Sequence, residues 1–179
     1  MVLLRRFCVL VALLFWQGGF FFYASVVVPV GTDVFARHYP PPESSKEPSG
    51  KRQQGRITRT VARWLNVAGA VALVPLVWDV FGGTDTGRRK RWRGVLCFAI
   101  AVQLAVLIWL YFLLDRQFDR ERLSLTDEPA FIVRHRVYLW VCAAQWACCL
   151  LFLWLTLRAW RAEDVSAPRS ESVPSSTGG

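Results

Sequence analysis

Gly94–Leu114 reads GVLCFAIAVQLAVLIWLYFLL, 21 consecutive residues without a charge and with one amide side chain, Gln103. About 20 apolar residues in an α-helix cross a hydrocarbon core of ~30 Å at 1.5 Å per residue, so this run is long enough to span a bilayer. Three more runs match it: Phe7–Thr32, Trp64–Gly83 and Val137–Leu157, of 26, 20 and 21 residues, with Asp79 the lone charge among them. Four such runs in 179 residues leave no amphipathic surface for a water-soluble domain. The hydrophobic fraction of 54% and mean hydropathy of +0.30 agree. The fold class read from this pattern is an all-α membrane protein, a four-transmembrane-helix bundle. Spans are expected near 7–30, 64–83, 94–114 and 137–157, within a membrane domain 1–161 that includes a flexible loop, 36–55. A disordered tail, 162–179, follows.

Arg5 and Arg6 ahead of the first apolar run resemble the front of a secretory signal. The run continues past Tyr23-Ala24-Ser25 into Val26–Val28, and Tyr23 suits a cleavage site poorly, so the first helix is read as retained. The first loop centres on YPPPESSKEPSGKRQQG, too polar and proline-rich to offset its ordering entropy. Beyond it, Ile57, Val61 and Trp64 share one helical face while Arg56, Arg59 and Arg63 take another, which predicts a short interfacial helix running into the second span.

The net charge of +9 comes from 22 basic and 13 acidic residues. The basic residues bracket the apolar runs instead of forming one patch, so the lipid bilayer and not nucleic acid is the expected partner. Lys and Arg divide as ten on the side of the termini and second loop and twelve on the side of the first and third loops. The compact basic second loop leans the orientation toward N- and C-termini inside. Five cysteines, Cys8, Cys97, Cys142, Cys148 and Cys149, all fall within spans and none stands in C-x-x-C spacing, which reads as helix packing and not as a disulfide framework.

Depth counted from each span's middle places Gln17, Gln103 and Gln145 near the midplane, with Pro75 at that level in the second helix. Lone amides are costly in hydrocarbon, so these three are expected to face one another as an interhelical polar core. Close packing is expected at Gly18 and Gly19 and at the small-x-x-x-small pairs Ala68/Ala72, Ala101/Ala105 and Ala143/Ala147. On the fourth helix Arg134, Tyr138, Cys142, Gln145, Cys149 and Thr156 recur at helical spacing and mark the face to point inward. Ionisable or polar groups at the membrane edge are functional candidates: Asp33, Arg63, Asn66, Asp115, Arg134, His135 and Arg136 on the side of the first and third loops, and Asp79 on the other, near Arg5, Arg6 and the Arg88–Arg93 run.

No catalytic fingerprint is present: no P-loop, G-x-S-x-G, H-E-x-x-H or dinucleotide motif. His38 and His135 are the only histidines, and neither lies within a span core, where buried haem ligation in a bundle would place one. The chain is read as a non-enzyme without cofactor or metal: a structural, assembly or partner-binding bundle, open to a membrane-protein partner or to homo-oligomerisation. The alternatives are a small transporter or channel subunit with the three glutamines lining a polar path, and a haem- or quinone-binding membrane subunit.

Two passages carry a resemblance. FWQGGFFFYASVVVPVGTDVF (Phe15 to Phe35) followed by GRITRTVARWLNVAGAV (Gly55 to Val71) resembles a domain-of-unknown-function family of small four-helix bacterial membrane proteins, whose first helix carries W-x-G-G and a later V-V-x-P. The matching residues are Trp16, Gly18, Gly19, Val27, Val28 and Pro29, then Thr58, Leu65, Asn66 and Gly69. The resemblance covers about the first 40% of the chain. It implies a bacterial inner-membrane location and the same four-helix plan, and brings no catalytic residues.

Overall fold

A computed structural model describes residues 1–38, 49–83, 87–117 and 128–166, with backbone alone at 49–53 and 128. They form four helices: α1 Val2–His38, α2 Ser49–Gly82, α3 Gly87–Arg116 and α4 Glu128–Ser166. The protein is an all-α four-helix bundle, and each helix is long and apolar enough to cross a membrane. It is an integral membrane protein.

The apolar windows lie within α1, α3 and α4 and at the C-terminal end of α2, and the helices outrun them. The 39 residues of α4 span roughly 58 Å, more than the ~40–45 Å of a bilayer with its headgroups. The ends of such a helix therefore carry charge while keeping helical hydrogen bonds. Two expectations change accordingly. Residues 36–38 and 49–55, assigned to the flexible loop, are helical. Residues 162–166, assigned to the disordered tail, continue α4, where Glu163 and Asp164 are ion-paired. The remaining parts of both segments, 39–48 and 167–179, lie outside the described residues.

Sequential helices pack against one another, α1 on α2, α2 on α3 and α3 on α4. α1 also reaches α4, through a Phe21–Trp146 ring stack at 6.3 Å and through ion pairs of Arg5 and Arg6. The buried core runs through Val9, Leu13 and Trp16 of α1, Leu76 and Val80 of α2, Ile100 and Leu104 of α3, and Cys149 and Phe152 of α4. On α4, Cys142, Gln145, Cys149 and Thr156 are buried, so the stripe read from helical spacing is the inward face. Lipid is as apolar as these side chains, so packing and interhelical polar contacts hold the helices together in place of the hydrophobic effect.

α1 contains two π-helical turns, Leu14–Gly18 and Tyr23–Val27. The second has a local cause. Pro29 has no N–H, and in a regular α-helix its ring collides with the carbonyl of Ser25, so the widened turn before it relieves the clash. The first encloses Trp16, which α1 turns inward onto Gly69 of α2. A Cβ on Gly69 would sit 2.7 Å from the Trp16 ring, so only glycine leaves room.

That contact corrects the expected packing points. At Gly18 a Cβ would meet only Leu14 of the same helix, at 3.6 Å, and at Gly19 only Leu65, at 4.0 Å. Neither is a close approach. Ala72 is buried and Ala68 packs against the core, and Ala101 is half-buried. Gly19, Ala105, Ala143 and Ala147 face outward instead. Small-x-x-x-small spacing occurs on every face of an alanine-rich helix, and the spacing does not say which face meets a neighbour.

Candidate functional site

Polar side chains gather at three levels of the bundle. The first is the end where the N-terminus, the start of α3 and the C-terminal turns of α4 meet. Asp79 is fully buried there. Its Oδ1 lies 3.0 Å from Arg5 Nε and accepts from Trp160 Nε1 at 3.1 Å, while Oδ2 pairs with Arg93, itself 1% exposed. Arg93 Nε donates to Thr156 Oγ1 at 3.2 Å, and its guanidinium stands over the Phe152 ring. Arg5 also binds Glu163 at 2.8 Å and donates to the Gly82 carbonyl. Arg6 bridges Glu163 at 3.2 Å and Asp164 at 2.8 Å, and stacks over Trp160.

Three arginines thus meet three carboxylates drawn from all four helices, and the charges of these six groups balance. Neutrality matters, because a buried charge missing its partner costs several kcal/mol in a low-dielectric setting. The two glycines that end α2 make the room. Gly82 lends its carbonyl to Arg5, and a Cβ on Gly83 would stand 3.3 Å from Glu163 Oε1. Arg5 and Arg6 were singled out in the sequence as the basic flank of the first span and as neighbours of Asp79, and Glu163 and Asp164 were passed over. The signal was nonetheless present: Cys149, Phe152, Thr156, Trp160 and Glu163 continue the inward stripe of α4 at steps of three or four.

The second level is the midplane. Gln145 is buried and donates to the Ile100 carbonyl at 3.4 Å. Gln103 is half-buried, with Nε2 3.6 Å from Cys148 Sγ, and among the described residues its Oε1 meets no donor. Among the described residues no hydrogen bond joins any two of the three glutamines, contrary to the expectation that they face one another. Equal depth fixes height, while rotation about each helix axis decides the partner. Gln17 and Gln145 do line one small cavity with Trp16, Asn66 and Tyr138. Its volume of about 20 Å³ holds a single water, which needs ~10–15 Å³ and two to four polar partners.

At the third level, on the opposite end, a cleft of about 410 Å³ opens between α2 and α3. Its rim carries Arg59, Arg63, Asn66, Tyr111 and Asp115, and its floor Val67, Ala70, Ile108 and Phe112. Arg59 and Asp115 form an ion pair across the rim. Arg63 is exposed and makes no ion pair among the described residues. Asn66 lines both this cleft and the midplane cavity. Of the expected edge residues, the structure therefore brings Arg63, Asn66 and Asp115 together.

The others lie apart. Asp33 pairs with Arg37 of its own helix at 2.6 Å, both exposed. Arg134 is half-buried and Arg136 exposed on α4, and His135 stacks on Phe131 one turn away. His38 is exposed, with Nδ1 2.9 Å from the Val34 carbonyl. Among the described residues no three His, Cys, Asp or Glu side chains gather as a metal-binding group. Nearby, Tyr23 donates to Thr58 at 2.8 Å and accepts from Gln54 at 3.2 Å, which ties the upper half of α1 to α2.

No family model matches the chain, and neither a curated protein nor a solved structure matches it. The resemblance carried by Trp16, Gly18, Gly19 and the Gly55–Val71 passage therefore brings no family assignment.

Proposed function

We propose that the chain is a non-catalytic multi-pass bundle of a bacterial inner membrane that acts by binding a partner within the bilayer, with both termini in the cytoplasm. The observation that carries this reading is the contrast between its two ends. One is shut by the neutral cluster around Asp79, with the apolar layer of Ile100, Leu104 and Phe152 above it. The other opens into the α2–α3 cleft, whose rim and floor combine charge with an apolar surface. A site of this size is ordinary for a small ligand or an inserted side-chain group.

A transporter is the second reading, favoured by Asn66, which links the cleft to the cavity under Gln17 and Gln145. Proteoliposome flux separates the two. The binding reading predicts that protein-loaded vesicles leak ions and small solutes no faster than empty ones. Flux that falls when Gln17 and Gln145 are changed to leucine would support the transporter and sink the first reading. The orientation is tested by a reporter fused after the last residue, active only in the cytoplasm: silence of that reporter overturns it.

A further inference from the structure

We infer that the α2–α3 cleft seats one anionic phospholipid, its phosphate on Arg63 and an acyl chain along Val67, Ala70 and Phe112. The inference rests on the binding reading above and names the occupant. Charge is the first argument. Among the described residues that line the cleft, Asp115 neutralises the Arg59 guanidinium and Arg63 leaves one net positive charge, the complement of one phosphodiester. A guanidinium offers that group two parallel N–H donors, which an ammonium cannot.

Position is the second. Arg63 immediately precedes the second apolar run, at headgroup depth, where a basic side chain flanking a span meets lipid phosphate. Ala70 lies seven residues on, roughly 10 Å deeper along the helix. The floor therefore descends into hydrocarbon from the point where the charge ends. On that floor Val67 and Phe112 are 47% and 57% exposed, so the cleft is open sideways to lipid. An occupant must be anionic at one end and apolar over the rest, which free phosphate is not.

The test uses the full chain, stripped of lipid in neutral detergent and offered phosphatidylglycerol or phosphatidylcholine with identical acyl chains. Native mass spectrometry counts retained lipids. The expected result is one phosphatidylglycerol held about tenfold more tightly than phosphatidylcholine, a preference that Arg63→Gln removes, since a hydrogen-bonded charge is worth about that factor. Arg63→Lys should restore part of it, and Arg88→Gln, at the other end of the bundle, should leave it intact. Ala70→Trp, which fills the floor and spares the charge, should lower retention of both lipids and decides the matter if Arg63→Gln fails to fold. Equal retention of the two lipids, indifference to Arg63→Gln, displacement by inorganic phosphate, or an Arg63-dependent dimer in place of bound lipid would each overturn the inference. Any of these leaves the binding reading standing, whereas flux through phosphatidylcholine vesicles would sink that reading without touching the lipid preference.

Discussion

Replacing Asp79 by alanine is expected to destabilise the folded bundle by about 3–5 kcal/mol, the usual loss when one partner of a buried ion pair is removed. The geometry says where the loss falls. Arg5 keeps Glu163 at 2.8 Å, and the Trp160 indole loses one hydrogen bond, worth about 1 kcal/mol. Most of the cost lies with Arg93, 1% exposed, whose carboxylate counter-charge disappears. Removing both charges should therefore be far cheaper than removing one. The double variant Asp79→Leu/Arg93→Met is expected within about 1–2 kcal/mol of the parent, because an apolar pair of similar volume replaces a buried ion pair at little cost. Reversible unfolding in mixed micelles with increasing dodecyl sulfate, followed by tryptophan fluorescence and far-UV circular dichroism, measures these variants together with the single variants Asp79→Leu and Arg93→Met. A loss below about 0.5 kcal/mol for Asp79→Ala, or single-variant costs that simply add in the double variant, would refute the claim that this carboxylate and guanidinium form one desolvated unit.

Gly69→Ala should cost about 1–3 kcal/mol in the same unfolding assay, because its Cβ would press on the Trp16 ring at 2.7 Å, while Gly18→Ala should be neutral or slightly stabilising. Ending the chain after Ala159 removes Trp160, Glu163 and Asp164, and should destabilise by several kcal/mol, comparably to Asp79→Ala, as read by the loss of monodisperse protein on detergent chromatography at rising temperature. Gln145→Leu should lose about 0.6 kcal/mol with its bond to the Ile100 carbonyl. Gln103→Leu should be neutral or stabilising, because it relieves a buried oxygen that meets no donor among the described residues.

The four spans were legible because hydrocarbon thickness imposes a length, and a run such as Gly94–Leu114 has no other economical use. The helix ends were not, because arginine and tryptophan at the interface suit a helix as well as a loop. Asp79 stood out as the lone charge within a window, but Glu163, the second carboxylate on Arg5, sat in a polar stretch whose helical phase its composition disguised. Arg59 and Arg63 were read as one face of an interfacial helix. Their meeting with Asp115 depends on how α2 and α3 are rotated against each other, which no count along one chain supplies. The same freedom undid the reading of the glutamines: Gln17 and Gln145 line one cavity, but among the described residues no hydrogen bond joins any two of the three. Likewise glycine was recognised as the residue of close approach, but on α1, whereas the bulky Trp16 there needs its glycine on the facing helix.

The bundle is open at the α2–α3 cleft and shut through its middle. Substituted cysteines in a cysteine-free background test it most directly, with a membrane-impermeant thiol reagent applied to each side of sealed vesicles in turn. Cysteine at Asn66 should react from the side of the first and third loops, while cysteines at Leu104 and Leu76, 3% and 0% exposed, should react from neither side. Aqueous labelling of all three positions would reveal a continuous polar path and contradict it.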